Sequence, residues 1–310
     1  MTVTGIIGAM PTLKQIIIIL ALLCLSACSG SVDALVTSTP LSPTDTPPPS
    51  TPTAMLLPLA LTVNGEGITL DEFNAELARY QAAQTALGKP TSDQQAVAQV
   101  IYEELISQLL LAQGAREAGF TLDGPALQAR IDALAAKLGG ADKLSAWQQA
   151  HGYNDESFRV ALEREAAAAW MRDKIISAVP STAEQVHVRQ ILLYNQADAQ
   201  TYWDRLQTGA KFDTIAAQVD PLTRGDIGWI PRGYLSEKPV EDAAFALEPN
   251  TYSAVVQDKV GFHILELIER QADRPLSPDQ KLTLQTRALD EWLANRRQQS
   301  TASSWLQSNP

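Results

Sequence analysis

The sequence predicts an α+β protein: a helical N-terminal domain, a second domain built on a small four-stranded antiparallel sheet flanked by helices, and a C-terminal helix. Three observations predict it. Between Thr69 and Pro180, apolar residues recur at helical spacing. After Pro180 the pattern changes to short strand-like runs separated by helical stretches and glycine-punctuated turns. From Ser277 a last helical stretch follows.

The bulk numbers bound the function. The chain has 310 residues, 45% of them hydrophobic, so roughly two domains with real cores are expected. The formal net charge is -11, which argues against nucleic acid as a partner, because phosphate binding needs clustered Lys and Arg. The same balance argues against adhesion to anionic lipid through a basic surface. The two cysteines, Cys24 and Cys28, both lie in the first apolar segment, so no disulfide framework or cysteine metal site is expected beyond it.

Residues 1–28 read as an address. The apolar run from Ile16 to Leu25 follows Lys14 and is too short to span a bilayer, but it fits the core of a secretory signal. Either Met1 or Met10 fits as the start, Met10 giving the more compact signal. Leu25-Ser26-Ala27-Cys28 resembles the lipobox of bacterial lipoproteins, which implies cleavage before Cys28 and a lipid on its thiol. Residues 29–58 are rich in Ser, Thr and Pro and cannot build a core. At about 3.1 Å per residue they could reach up to about 90 Å as a tether. A leader without a spacing role fits the same composition.

Residues 59–179 form the expected helical domain. Leu61 to Glu66 reads as a short strand running into a turn. Thr69 and Glu72 have capping-box spacing ahead of Phe73, Leu77 and Tyr80. Ser92 and Gln95 suggest a second box, before Val97, Ile101, Leu105 and Leu109. A third helix presents Leu127, Ile131, Leu134 and Leu138 as a core stripe, and a shorter one holds Leu144 and Trp147. A long helix runs from about Asp155 to Ala178. His151, between two helices, reads as a solvated loop residue.

Residues 182–272 form the second domain. The strand Val186-His187-Val188-Arg189-Gln190-Ile191-Leu192-Leu193 comes first, then helices around Tyr202 and Ile215. A short apolar strand within 224–233, a helix over 240–247, and strands at 253–257 and 260–268 complete the order β-α-α-β-α-β-β. Residues 273–310 hold the last helix, with Ser277 as N-cap, Pro278 at the first turn, and Leu282, Leu289, Trp292 and Leu293 as an apolar face. A helix of this length is marginal alone in water, so it is expected to dock, as it does on the helical domain in the family named next.

Three segments carry a resemblance: Gly225-Asp226-Ile227-Gly228-Trp229, Glu241-Asp242-Ala243-Ala244-Phe245-Ala246-Leu247, and Gly261-Phe262-His263-Ile264. In this order and spacing the domain resembles a parvulin-type peptidyl-prolyl isomerase along its whole length. With the lipobox and the helical domain, the chain resembles extracytoplasmic foldases of the PrsA and SurA type. The resemblance implies a membrane-anchored isomerase with a helical chaperone domain. It implies unfolded or newly secreted polypeptides containing X-Pro bonds as clients, and no cofactor or metal.

The resemblance also implies a site. His263 matches the last-strand histidine of the family, and Asp220 the acidic or cysteine position. Ile227, Leu235, Val240 and Phe245 match the proline pocket, with Val240 where an aromatic is common. Gln190 stands where the family usually has histidine; Gln hydrogen-bonds but does not titrate. His187 is offset by three and, by strand alternation, faces the other way unless a bulge intervenes. No basic cluster follows Tyr194, so no preference for phosphorylated clients is expected. Rotating an X-Pro bond crosses a barrier of about 18–20 kcal/mol and needs no nucleophile. A pocket and a small polar network suffice. A non-catalytic chaperone that only holds clients is the alternative, kept open by Gln190 and Val240; a plain structural lipoprotein does not explain the three segments.

Overall fold

The computed structural model describes residues 58–89 and 93–304. The leader with Cys28, the Pro/Ser/Thr-rich segment up to Leu57, and Ser92 lie outside the described residues. Among the described residues, Gly124–Tyr153 form one compact unit, and residues 58–123 with 154–304 form a second.

The smaller unit consists of α3 (Gly124–Leu138) and α4 (Ala141–Ala150). The expected stripe on α3 is only partly core. Leu127 is buried, Ile131 and Leu134 are half-buried, and Leu138 is exposed. Two short helices have too few apolar side chains to enclose a full stripe. His151 is not a free loop residue: its ring stacks on Trp147 with centroids 4.1 Å apart, and its Nδ1 lies 2.7 Å from the Trp147 carbonyl oxygen.

The larger unit begins with a hairpin that sequence reading took for one strand and a turn. Strands β1 (Leu59–Val63) and β2 (Glu66–Thr69) pair antiparallel across Asn64-Gly65. Both turn residues have positive φ, 52° and 85°, as the tight Asn-Gly hairpin turn requires. Strand β8 (Ala302–Ser304), also unforeseen, pairs with the other edge of β1. Helices α1 (Leu70–Ala86), α2 (Gln94–Glu117) and α5 (Asp155–Ser177) follow. Leu61, Val63, Ile68, Phe73, Ile101 and Leu105 form their main core.

The caps differ in detail from the sequence reading. Thr69 caps α1 by accepting from the Glu72 N–H, but the Glu72 carboxylate turns away to the buried Arg164 guanidinium instead of closing the box. Burying the arginine's charge is tolerable only with such a partner. Helix α2 is capped by Asp93, whose carboxylate accepts from the Ala96 N–H at 2.9 Å. Helix α5 carries a full capping box, Asn154 with Ser157.

The second sheet contains β3 (Thr182–Leu193), β4 (Asp226–Pro231), β5 (Thr251–Tyr252), β6 (Val256–Gln257) and β7 (Phe262–Pro275), all antiparallel. Long β3 and β7 are the centre, with β4 outside β3. The fold class matches the sequence reading, but the expected strand at 253–257 is broken in two. Ser253 breaks it: its hydroxyl accepts the Leu265 N–H at 3.0 Å and donates to the Ala254 carbonyl at 2.6 Å. A side chain thus replaces a ladder partner, and the chain leaves the sheet until Val256.

Helices α6 (Gln196–Gln207) and α7 (Phe212–Val219) cover one face of the sheet through Ile191, Leu193, Ala199, Leu206, Ile215 and Ile264. Helix α8 (Lys238–Ala246) covers the other face through Val186, Val188, Val240, Ala244, Phe245, Leu265 and Leu267. Helix α9 (Pro278–Gln298) starts with the expected Ser277 cap, closed into a box by Gln280. Its Leu289 packs with Leu111, Ala167 and Met171 of α2 and α5. Leu282, expected on its apolar face, is 40% exposed and does not take part in that core.

Candidate functional site

Sheet alternation decides which side chains can meet. Gln190 shares the face of Val186 and Val188 on β3, and His263 shares the face of Leu265 and Leu267 on β7. That is the face under α8. The ladder bulges at two places near the site, but the extra residues, Ile227 and Ile268, belong to β4 and β7. Strand β3 therefore keeps strict alternation, and His187 points to the opposite face from Gln190. There it bonds Asp226 at 2.9 Å and stacks on Trp229 at 5.3 Å.

Gln190 and His263 are in contact: His263 Nδ1 lies 3.0 Å from Gln190 Oε1. On its other side, His263 Nε2 faces Asp258 Oδ2 at 3.0 Å. The His263 side chain is 7% exposed and that of Asp258 2%. Those two facing atoms are shielded from water and lie out of line for a straight hydrogen bond. Their interaction is chiefly electrostatic. Asp258 is itself fixed by the loop it starts, its Oδ1 accepting from the Val260 N–H at 2.7 Å and the Gly261 N–H at 2.9 Å. Burial works against its charge, but the Gly261 and Val260 N–H groups and His263 outweigh it and hold the carboxyl below its ordinary range.

Two glycines bring the backbones close enough for this. A Cβ on Gly225, whose φ is +74°, would lie 2.1 Å from the Gln190 carbonyl oxygen, whose own N–H donates to the Gly225 oxygen at 2.8 Å. A Cβ on Gly261 would lie 2.4 Å from the Leu193 oxygen. Both glycines are thus steric requirements of the site.

The apolar residues expected at the site come together. Val240 and Phe245 are buried in the cluster under α8, and Ile227 and Leu235 pack against it with Tyr234 and Val256. Asp220 takes a different place. Its carboxylate accepts from the Leu222, Thr223 and Gly225 N–H groups and from the Thr223 hydroxyl, all in its own loop. The Thr223 hydroxyl, then the backbone N–H groups, hold it below its ordinary range. It shapes the loop that abuts Gln190.

Sequence reading missed two site residues. Asp258 was read only as part of a hairpin turn; its sign was an acid two and three residues ahead of N–H groups in a Gly-containing turn. Glu241 was read as part of a segment, but its carboxylate is buried and accepts from the Gly233 N–H at 2.9 Å and the Leu235 N–H at 3.1 Å. It fastens the loop that carries Tyr234 and Leu235. Beside it the Arg232 guanidinium lies 4.0 Å from the centre of the Phe245 ring, and both Arg232 and Arg270 bond Glu184. Glu184 offsets one of these two charges, and the Arg270 guanidinium is further engaged by the Phe245 and Leu247 carbonyl oxygens. Among the described residues no group of three His, Cys, Asp or Glu side chains could hold a metal ion, and no helix is long and apolar enough to cross a membrane.

Comparisons with known proteins match two segments of the chain. Residues 189–269 match the rotamase family described as the PPIC-type PPIase domain, and residues 58–159 match the SurA-like N-terminal domain. Chaperone SurA of Nitrosospira multiformis is 30% identical over 142 residues, covering 42% of this chain and 31% of the relative. Foldase protein PrsA of Clostridium kluyveri is 21% identical over 241 residues, covering 62% of this chain and 70% of the relative. The chain thus spans less than two thirds of the length of the first of these relatives. Among solved structures, PrsA from Bacillus cereus is 19% identical with a TM-score of 0.41, covering 75% of this chain and 83% of that one.

Proposed function

We propose that this chain, which carries a PPIC-type PPIase domain behind a SurA-like N-terminal domain, is an extracytoplasmic peptidyl-prolyl cis/trans isomerase and chaperone. The observation that carries the reading is the chain from half-buried Gln190 through buried His263 to Asp258, beside the apolar cluster of Ile227, Leu235, Val240 and Phe245, within the matched residues. Uncatalysed X-Pro exchange takes tens to hundreds of seconds. The apolar cluster takes the proline ring and removes the amide from water. The polar groups of Gln190 and His263, held by each other and by Asp258, then favour the twisted amide without reorganising. No step needs a titrating nucleophile.

Clients on this reading are unfolded or newly secreted polypeptides with X-Pro bonds. The lipid anchor on Cys28 rests on the lipobox-like sequence alone. Substituting Cys28→Ser should move the protein from the membrane fraction to the soluble extracytoplasmic fraction; unchanged fractionation would remove the anchor from the account.

A second reading has an observation of its own. Gln190 cannot titrate, and the Asp220 carboxylate is occupied by its own loop. Both fit a weak or inactive isomerase that only binds clients. NMR exchange spectroscopy on a proline peptide separates the two: acceleration supports the enzyme, and binding without acceleration supports the holder.

A further inference from the structure

We infer that Arg287, outside the residues matched to the isomerase domain, is a positioning residue for the proline site, through which α9 ties that site to the helical core. The inference rests on the isomerase reading. The loop that follows β4 carries Tyr234 and Leu235 into the apolar cluster, and it has no ladder partner of its own. Two side chains grip the residue at its tip from opposite ends of its backbone. The Leu235 N–H donates to Glu241 at 3.1 Å, and the Leu235 carbonyl accepts from Arg287 Nη2 at 2.9 Å.

Glu241 belongs to α8, inside the matched residues; Arg287 belongs to α9, which comes after them. The approach of α9 is close along this loop. Gln280 Nε2 donates to the Trp229 oxygen at 2.7 Å, and a Cβ on Gly233 would meet Leu284 Cδ2 at 3.2 Å. Other residues of α9 fix it elsewhere. Gln285 donates to the Ile176 oxygen at 3.2 Å, Leu289 is buried with Met171, and Trp292 covers Gly114. One helix is therefore anchored in the core of α2 and α5 and holds the Leu235 peptide.

Leu235 cannot keep its place on Glu241 alone. A single N–H bond fixes one point and leaves the peptide free to pivot; the charged bond at the carbonyl adds the second point. Loss of Arg287 should loosen the grip on proline more than the chemistry, because Gln190, His263 and Asp258 sit on β3, β7 and their own loop.

The test uses the full chain with Arg287→Met, which keeps the apolar stem and removes the donor. Expected are a KM for a proline peptide raised about 3–10-fold, kcat changed less than about twofold, and Leu235 amide hydrogen exchange faster by about tenfold. Gln285→Met, which removes one bond of α9 to α5 but leaves the Leu289 and Trp292 packing that docks the helix, should leave KM unchanged. Arg287→Lys should restore part of the KM. An unchanged KM and unchanged Leu235 exchange in a folded Arg287→Met protein would overturn the inference. So would a fall in kcat and melting temperature at constant KM, the signature of a purely structural role. A wild-type chain without any catalysis sinks the isomerase reading instead, and the Leu235 exchange rate then still decides whether Arg287 grips the loop.

Discussion

Asp258→Asn is the sharpest perturbation of the site. The isosteric amide keeps its oxygen toward the Val260 and Gly261 N–H groups, so the loop bonds at 2.7 and 2.9 Å survive. What changes is the atom facing His263. In the wild type a carboxylate oxygen, which only accepts, stands 3.0 Å from Nε2, so the ring proton belongs on Nε2, and the bare Nδ1 accepts from the Gln190 amide turned to present its NH2. In the variant an NH2 group stands there, and two donors face each other. The ring then moves its proton to Nδ1, where Gln190 Oε1 accepts it. The wild-type contact with Asp258 is charged but out of line, and one neutral Gln190–His263 bond replaces another, so the change should cost about 1 kcal/mol, or about fivefold. Nitrogen-15 shifts of His263 report the tautomer directly. The folded pKa of Asp258 lies below its unfolded value, so its contribution is present above about pH 4 and lost as pH falls through the folded value. The stability gap between wild type and variant should therefore be open at pH 7 and close toward acid. A wild-type Nε2 without a proton, or identical His263 shifts in the two proteins, would refute the reasoning.

Two other sites make equally direct demands. Glu241→Gln keeps one acceptor but turns an NH2 group toward the Gly233 or Leu235 N–H; urea denaturation should show a loss of about 2–3 kcal/mol. Glu104, on α2, has its pKa raised first by burial and then by Glu165 and Glu76, with Arg172 opposing. A raised folded pKa means stability is lost as pH rises through it. Glu104→Gln should therefore raise the melting temperature at pH 7 and give no gain near pH 4; a gain of equal size at both would exclude the carboxylate as the cause.

What the sequence made legible follows from range. Helices such as α5 and α7 announce themselves by local periodicity, and Ser277-Pro278 marks its helix start within two residues. The strand β3 is readable for the same reason, and its alternation separates Gln190 from His187 once the bulges prove to lie on β4 and β7. The rest depends on distant partners. Nothing local marks Ala302–Ser304 as a strand, because its pairing partner is β1, at the other end of the described chain. Ser253 looks like any strand residue until its hydroxyl is seen to take the Leu265 N–H. Glu72 looks like the second half of a capping box until Arg164, far along the chain, claims its carboxylate. At the site, Gln190 and His263 were legible through resemblance. Asp258 was not, because a turn aspartate satisfying its own loop and one facing a buried histidine look the same in sequence.

The central claim is that an apolar cluster and the Gln190–His263–Asp258 chain catalyse X-Pro exchange without a second histidine. NMR exchange spectroscopy, free of any coupled protease, measures this directly on a short proline peptide with the full chain. The expected result is exchange accelerated over buffer, with His263→Ala losing at least about tenfold of it. A folded wild-type chain that binds the peptide and leaves its exchange rate at the buffer value would contradict the claim.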